Sequence, residues 1–149
     1  MNDFRSLNSQ LCFAVYETAG EFNKLYTSVL QLFGLTYPQY LVLLALWEKD
    51  EVTMKELGAK LDLGTGTLTP MISRMQENGW VRKERSKEDE RKVFIYLEEK
   101  AHQQQRAITK RVAEEIELCQ INVDEYKELM TRLNDLHQKL KKRTNSADA

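Results

Sequence analysis

Residues 53–97 read TMKELGAKLDLGTGTLTPMISRMQENGWVRKERSKEDERKVFIYL, and the punctuation of this stretch decides the fold. Thr53 with Glu56 three positions on has the form of a capping box, in which a side-chain oxygen takes up an orphan N–H of the first helical turn. It opens a short helix ending near Leu61. Asp62-Leu63-Gly64 is a tight, glycine-containing break. A second helix starts near Thr65 and turns Leu68, Ile72 and Met75 inward at helical spacing, and Gly79 ends it. Pro70 lies at or just past the first turn, so the pattern predicts a start shifted toward Thr67 or a slight bend. Two short helices joined this way make a helix-turn-helix. Beyond Gly79 the pattern changes to alternation: Trp80–Arg85 and Lys92–Leu97 read as strands, with Val93, Ile95 and Leu97 on one side. The polar segment SKEDER joins them, and a hairpin placed here is a wing.

On the N-terminal side, Leu7, Leu11, Val15, Phe22, Leu25, Val29 and Leu32 trace an apolar seam along a helix of residues 6–33, stopped at Gly34. That length suits a helix that packs on a second subunit as well as on its own core. Thr36-Tyr37-Pro38-Gln39 is another capping box, opening a helix through Trp47 that is expected to bury Leu41, Leu44 and Ala45. On the C-terminal side, a helix from about Lys100 to Gln120 is expected to bury Ile108, Val112, Ile116 and Cys119. A last helix, Val123 to Lys142, carries Tyr126, Leu129, Leu133, Leu136 and Leu140 on one side, and residues 143–149 read as a disordered tail. The fold class is therefore mainly α: one domain over 1–149, with a winged helix-turn-helix at 36–97 between dimerisation helices at 6–33 and 100–142.

Composition narrows the function classes. No apolar run approaches the length of a membrane span and no signal peptide is visible, so a cytoplasmic protein with no membrane partner is expected. Two cysteines 107 positions apart are neither a disulfide framework nor a zinc spacing. His102 and His137 lie on different helices without companion ligands, and no phosphate loop, GxSxG, CxxC or HExxH occurs. Neither an enzyme nor a metal or other cofactor is expected. The net charge is −1, but residues 54–92 carry nine Lys/Arg against seven Asp/Glu, a net of +2. DNA binding thus rests on architecture more than on charge.

In that reading the second helix of the pair enters the major groove of double-stranded DNA, with Thr65, Thr67, Thr69, Ser73 and Arg74 on its polar side. From the wing, Arg85, Lys87, Arg91 and Lys92 track the backbone or reach the minor groove. The bland alternative is a helical domain with a solvated charged hairpin. In the first helix, Cys12 lies one turn from Tyr16. Tyr26 is fourteen residues on, roughly 21 Å along a helix, so any help it gives the thiol comes from another subunit. Two readings of Cys12 stand side by side: a small buried hydrophobe, or a thiolate favoured by a helix N-terminus capped at Ser6 or Asn8, with phenols of Tyr16, Tyr26 and Tyr37 as hydrogen-bond donors. The tyrosines have their own bland reading, as packing in a dimer core. Cys119 reads as an inert core thiol unless it resolves an oxidised Cys12.

The whole chain resembles the MarR family of winged-helix regulators. GTLTPMISRMQENGWVRKERSKEDERKVFIYL looks like that family's recognition helix and wing, and Asp89-Glu90-Arg91 matches its wing motif. QLCFAVY and TYPQYLVLLALWE look like the OhrR branch of organic-hydroperoxide sensors. The resemblance covers roughly residues 8–142 and is strong through 97. It implies a homodimer on a pseudo-palindromic operator, repressing until peroxide oxidises the cysteine matching Cys12. It also implies that tyrosines matching Tyr26 and Tyr37 reach that thiol from the other subunit, and that Asp89 orients a minor-groove Arg91. Two-cysteine members of the branch join the sensing cysteine to a late-helix cysteine of the other subunit, a role for which Cys119 is the candidate. The chain departs from the branch at Gly64-Thr65, where an acidic residue and serine are usual. It departs again at Leu97-Glu98-Glu99, where the following helix loses a threonine cap. Two other functions remain alongside this one: a MarR-type repressor released by a phenolic or amphipathic effector with both cysteines inert, and a thiol peroxidase.

Overall fold

The structure is a computed structural model that describes residues 4–147, with side chains through Arg143. After a 3-10 turn at Leu7–Ser9, α1 runs Leu11–Leu30 and closes through a second 3-10 turn, Gln31–Phe33. Then follow α2 (Tyr37–Glu48), β1 (Val52–Thr53), α3 (Met54–Leu61), α4 (Thr65–Glu77), β2 (Val81–Arg85), β3 (Val93–Leu97), α5 (Glu99–Leu118) and α6 (Val123–Ala147). The architecture is mainly helical, with the expected helix-turn-helix and wing. The chain forms two compact units that divide within α5, after Val112. The first holds the winged helix-turn-helix with α1, and the second holds the end of α5 and all of α6.

Local chemistry sets the boundaries in the first unit. Gly34 stops the α1 segment with φ 72°, left-handed backbone that a side chain rarely adopts. The Thr36 box is closed: the Gln39 N–H donates to Thr36 Oγ1 at 3.3 Å, and the Thr36 N–H donates to Gln39 Oε1 at 3.1 Å. In α2 the buried residues include Val42, Leu43, Ala45 and Leu46, whereas Leu41, expected inside, is exposed and Leu44 is half-buried. The run YLVLLALW is apolar on every side, so its periodicity carries no direction, and packing chooses the inner face.

Thr53 does two jobs. It is the last residue of β1, and its Oγ1 accepts the Glu56 N–H at 3.1 Å to cap α3. β1 was not legible in the sequence because two residues show no alternation. It pairs antiparallel with β3, Val52 opposite Ile95, and β2 pairs with the other edge of β3 from Val81–Leu97 to Arg85–Val93. The turn after α3 folds tightly: the Leu63 N–H donates to the Gly58 carbonyl at 2.9 Å, and a Cβ on Gly58 would stand 2.8 Å from the Leu63 carbonyl oxygen. α4 starts at Thr65, and Pro70 is accommodated without moving the start to Thr67.

Leu30, Leu43, Leu46, Leu57, Leu68, Ile72, Met75, Trp80, Ile95 and Ile108 form the fully buried centre. Each such aliphatic side chain contributes about 1.5–3 kcal/mol by leaving water. Lys100 lies over the Trp80 ring, 4.3 Å from its centre, and donates to the Asn78 carbonyl at 2.8 Å. The Trp47 indole donates to the Ala101 carbonyl at 3.3 Å. These contacts fix the start of α5 against the wing and α2.

Three expectations change. A cap at Ser6 or Asn8 does not form, because the chain makes a 3-10 turn first and α1 begins only after Gln10, whose side chain does not cap it. Helix α5 ends at Leu118, so Cys119 lies outside it and is exposed rather than buried. Helix α6 continues to Ala147 into the stretch read as a tail, since Lys141, Lys142 and Arg143 are helix formers and neither glycine nor proline follows; residues 148–149 lie outside the described residues. Much of the α1 seam faces outward: Leu7, Leu11, Val15, Phe22 and Leu32 are exposed, and in α6 so are Tyr126, Leu129, Met130, Leu133 and Leu140. Among the described residues no single helix is long and apolar enough to cross a membrane.

Candidate nucleic-acid interface and thiol site

Helices α3 and α4 and the wing enclose an open cleft of about 1240 Å³, lined by residues that include Thr65, Thr69, Lys83, Arg85, Arg91 and Lys92. Lys55 also lines it, giving five cations against the carboxylates of Glu56 and Asp62. A chain of net charge −1 thus gathers a local positive surface at one place. Lys55 and Lys83 were not singled out in the sequence, since only the packing of α3 and β2 around α4 turns them to this side.

The polar residues of α4 separate into two groups. Thr65, Thr67, Thr69 and Arg74 are exposed. Ser73, expected to face outward, is half-buried, and its Oγ accepts the Lys83 ammonium at 3.0 Å. The Lys83 N–H also donates to Gln76 Oε1 at 3.2 Å, so this pair fastens α4 to β2. At the head of α4 the N-cap is Gly64, with no side-chain cap. Its carbonyl accepts the N–H groups of Thr67 and Leu68 at 3.1 and 3.0 Å.

The wing tip is internally organised. Ser86 Oγ accepts the N–H groups of Glu88 and Asp89, both at 3.2 Å, and Arg85 donates to the Glu90 carbonyl at 2.6 Å. Asp89 Oδ1 accepts both the N–H and the Nε–H of Arg91, at 3.1 and 3.2 Å, while the Arg91 side chain stays 92% exposed. Asp89 therefore aims Arg91 without burying it. Lys87 and Lys92 are exposed beside it. Elsewhere on the hairpin, the Arg82 guanidinium sits 4.5 Å from the Tyr96 ring centre and pairs with Glu84 and Glu98. The hydrogen bond to Glu84 leads the effects that hold Arg82 above its ordinary value; partial burial, then Glu51, push the Tyr96 phenol above its own. Neither group titrates near neutrality.

Cys12 is the second residue of α1 and is exposed, its Sγ 4.0 Å from Gln10 Oε1. Tyr16, one turn on, is also exposed. Tyr26 stacks on Tyr37 with ring centres 4.6 Å apart and planes 5° from parallel, and lies 5.8 Å from the Tyr40 ring. The two tyrosines that the sequence placed on different helices thus form one aromatic surface between α1 and α2. The unbroken helix from Leu11 to Leu30 keeps that surface away from the Cys12 of the same chain. In the second unit the Cys119 thiol donates to the Glu115 carbonyl at 3.7 Å. His102 is 4.0 Å from Asp50, His137 is exposed, and no metal-binding group of side chains occurs among the described residues.

A helix-turn-helix whose second helix shares a cationic cleft with a hairpin defines a winged-helix regulator. Residues 24–108 match the transcriptional regulator SarA/Rot family, and the chain belongs to it. That family is one of transcriptional regulators. The chain is 52% identical over 99 residues to the HTH-type transcriptional regulator TtmR of Methylorubrum extorquens, covering 66% of this chain and 51% of TtmR. It is 47% identical over 97 residues to the organic hydroperoxide resistance transcriptional regulator of Bacillus subtilis, covering 65% of this chain and 66% of that protein. The matched segment thus spans about half of one relative's length and just under two thirds of the other's. Reduced AbfR bound to DNA superposes with a TM-score of 0.82 at 39% identity, over 91% of this chain and 92% of that one. AbfR, solved from Staphylococcus epidermidis, has also been solved overoxidised on DNA and with a disulfide formed.

Proposed function

We propose that this regulator is a cytoplasmic homodimer that represses from a pseudo-palindromic operator and lets go when Cys12 is oxidised by an organic hydroperoxide. The observation that carries the DNA half is the cationic cleft: α4 presents Thr65, Thr67, Thr69 and Arg74, and the wing holds out an aimed Arg91. Two such surfaces about one DNA turn apart read two half-sites. The exposed apolar seam of α1 supplies the dimer contact, because a contiguous exposed apolar patch marks a surface for association.

The redox half rests on Cys12 being accessible at the head of a helix, and on the resemblance of this chain to hydroperoxide-responsive and oxidised relatives. The sulfur attacks the O–O bond of ROOH; one oxygen stays on sulfur as a sulfenic acid and ROH leaves. A second thiol then displaces that oxygen as water and forms a disulfide. Cys119 of the partner subunit is one candidate for it and a small cellular thiol is the other. The stacked pair Tyr26–Tyr37 of the partner donates to the reduced sulfur, and losing those bonds on oxidation biases the dimer away from the DNA-competent form. A decisive shift takes several kcal/mol of difference between the two states.

The test is intact mass under denaturing, non-reducing conditions after one equivalent of cumene hydroperoxide, with DNA binding followed in parallel. A covalent dimer lost in both Cys12→Ser and Cys119→Ser supports the intersubunit bridge. An oxidised monomer that releases DNA leaves Cys12 as a one-cysteine sensor. Release by peroxide in Cys12→Ser overturns its role.

A further inference from the structure

The outward side of α4 departs from the rules for a stable helix with no internal reason. Gly66 lies in ordinary helical backbone and nothing stands within 4 Å of where its Cβ would be. Alanine would fit there and is the better helix former. Pro70, four residues on, is exposed inside the same helix. It has no N–H, so the Gly66 carbonyl loses its helical donor, and the proline ring crowds that carbonyl. At about 100° per residue, Gly66 and Pro70 point away from Leu68, Ile72 and Met75. Chains tend to break local rules where function requires it.

What this side offers is specific. Ser73 is occupied by Lys83. Gly66 has no side chain, Pro70 presents a ring of methylenes, and the exposed Thr69 adds a γ-methyl. In the major groove the apolar feature that matches such a surface is the 5-methyl group of thymine. Resting on the DNA-binding function above, we propose that Pro70 is a specificity-determining residue: its ring seats against a thymine methyl in each half-site, and the bare Gly66 lets the helix come close enough for that contact.

The experiment uses the reduced full chain and duplexes it enriches from a random-sequence pool. Each enriched duplex is resynthesised with deoxyuridine for thymidine, which removes the methyl groups and keeps base pairing. The expected loss is about fourfold per methyl contact, or roughly fifteenfold when two half-sites each lose one. In Pro70→Ala, which restores an N–H to the helix, the ratio between the two duplexes falls toward one while the unfolding temperature does not drop. Equal affinity of the unaltered protein for both duplexes overturns the proposal, and so does an undiminished ratio in folded Pro70→Ala. Failure to enrich any duplex removes the DNA-binding function and this inference with it, an outcome distinct from enrichment without methyl discrimination.

Discussion

Removing Asp89 and removing Arg91 should affect DNA binding in opposite electrostatic senses, and the geometry of the pair, with general free-energy values, sets the size of each effect. Arg91 is 92% exposed and held by two hydrogen bonds to Asp89 Oδ1. At that exposure the pair adds little to folding, about 0–1 kcal/mol. On DNA, Arg91→Ala deletes one charge-assisted contact per subunit. At about 1.5 kcal/mol or more each, two contacts amount to an affinity loss on the order of a hundredfold. Two lost phosphate neutralisations reduce the slope of log K against log salt by about 1.8, so the variant loses about twelvefold less affinity than its parent between 50 and 200 mM salt. Asp89→Ala keeps the cation and removes a negative charge from the wing, which favours any duplex and leaves the slope undiminished. It also unties Arg91, whose ordering then costs about 1 kcal/mol per arm, so specific affinity falls about thirtyfold relative to a random duplex. In an Arg91→Ala background there is no arginine to order, and Asp89→Ala should slightly tighten binding. The assay is a double-mutant cycle by fluorescence anisotropy at four salt concentrations. An Asp89→Ala penalty of equal size with and without Arg91 would refute the argument that Asp89 acts by aiming Arg91.

Three further outcomes are expected. Val15→Asp, on the exposed seam of α1, should give monomers in sedimentation velocity with far-ultraviolet dichroism retained, and unchanged dimers would show that another face carries association. Thr36→Ala breaks the reciprocal cap of α2 and should cost about 1 kcal/mol in urea unfolding, with the slope of the transition unchanged. Ile72→Ala removes a fully buried side chain and should cost about 2–5 kcal/mol; a loss below 1 kcal/mol would mean that α4 is not seated on the core as described.

Sequence alone carried the parts governed by local chemistry. The box at Thr36, the side-chain cap at Thr53 (where the reciprocal Glu56 bond does not form), the stops at Gly34 and Gly79, the inward set Leu68, Ile72 and Met75, and the hairpin all follow from interactions within a few residues, and each formed where the residues put it. Where local chemistry was silent, packing decided. The uniformly apolar α2 could not announce that Leu41 would stay outside and Val42 and Leu43 go in. The two residues of β1 became a strand only because β3 offered an open edge. Ser73 and Arg74 are adjacent and equally polar in sequence, yet β2 lies beside one and solvent beside the other, so Lys83 ties down Ser73 and leaves Arg74 free. Lys55 and Lys83 join the wing cations for the same reason. The thiols make the point most sharply. Apolar helical surroundings suggested buried cysteines, but Cys12 is exposed together with its α1 neighbours Leu11, Val15 and Tyr16, and Cys119 is exposed beside an equally exposed Leu118. Periodicity says which residues share a side of a helix; only the neighbours brought by the tertiary fold say whether that side meets the core or the solvent.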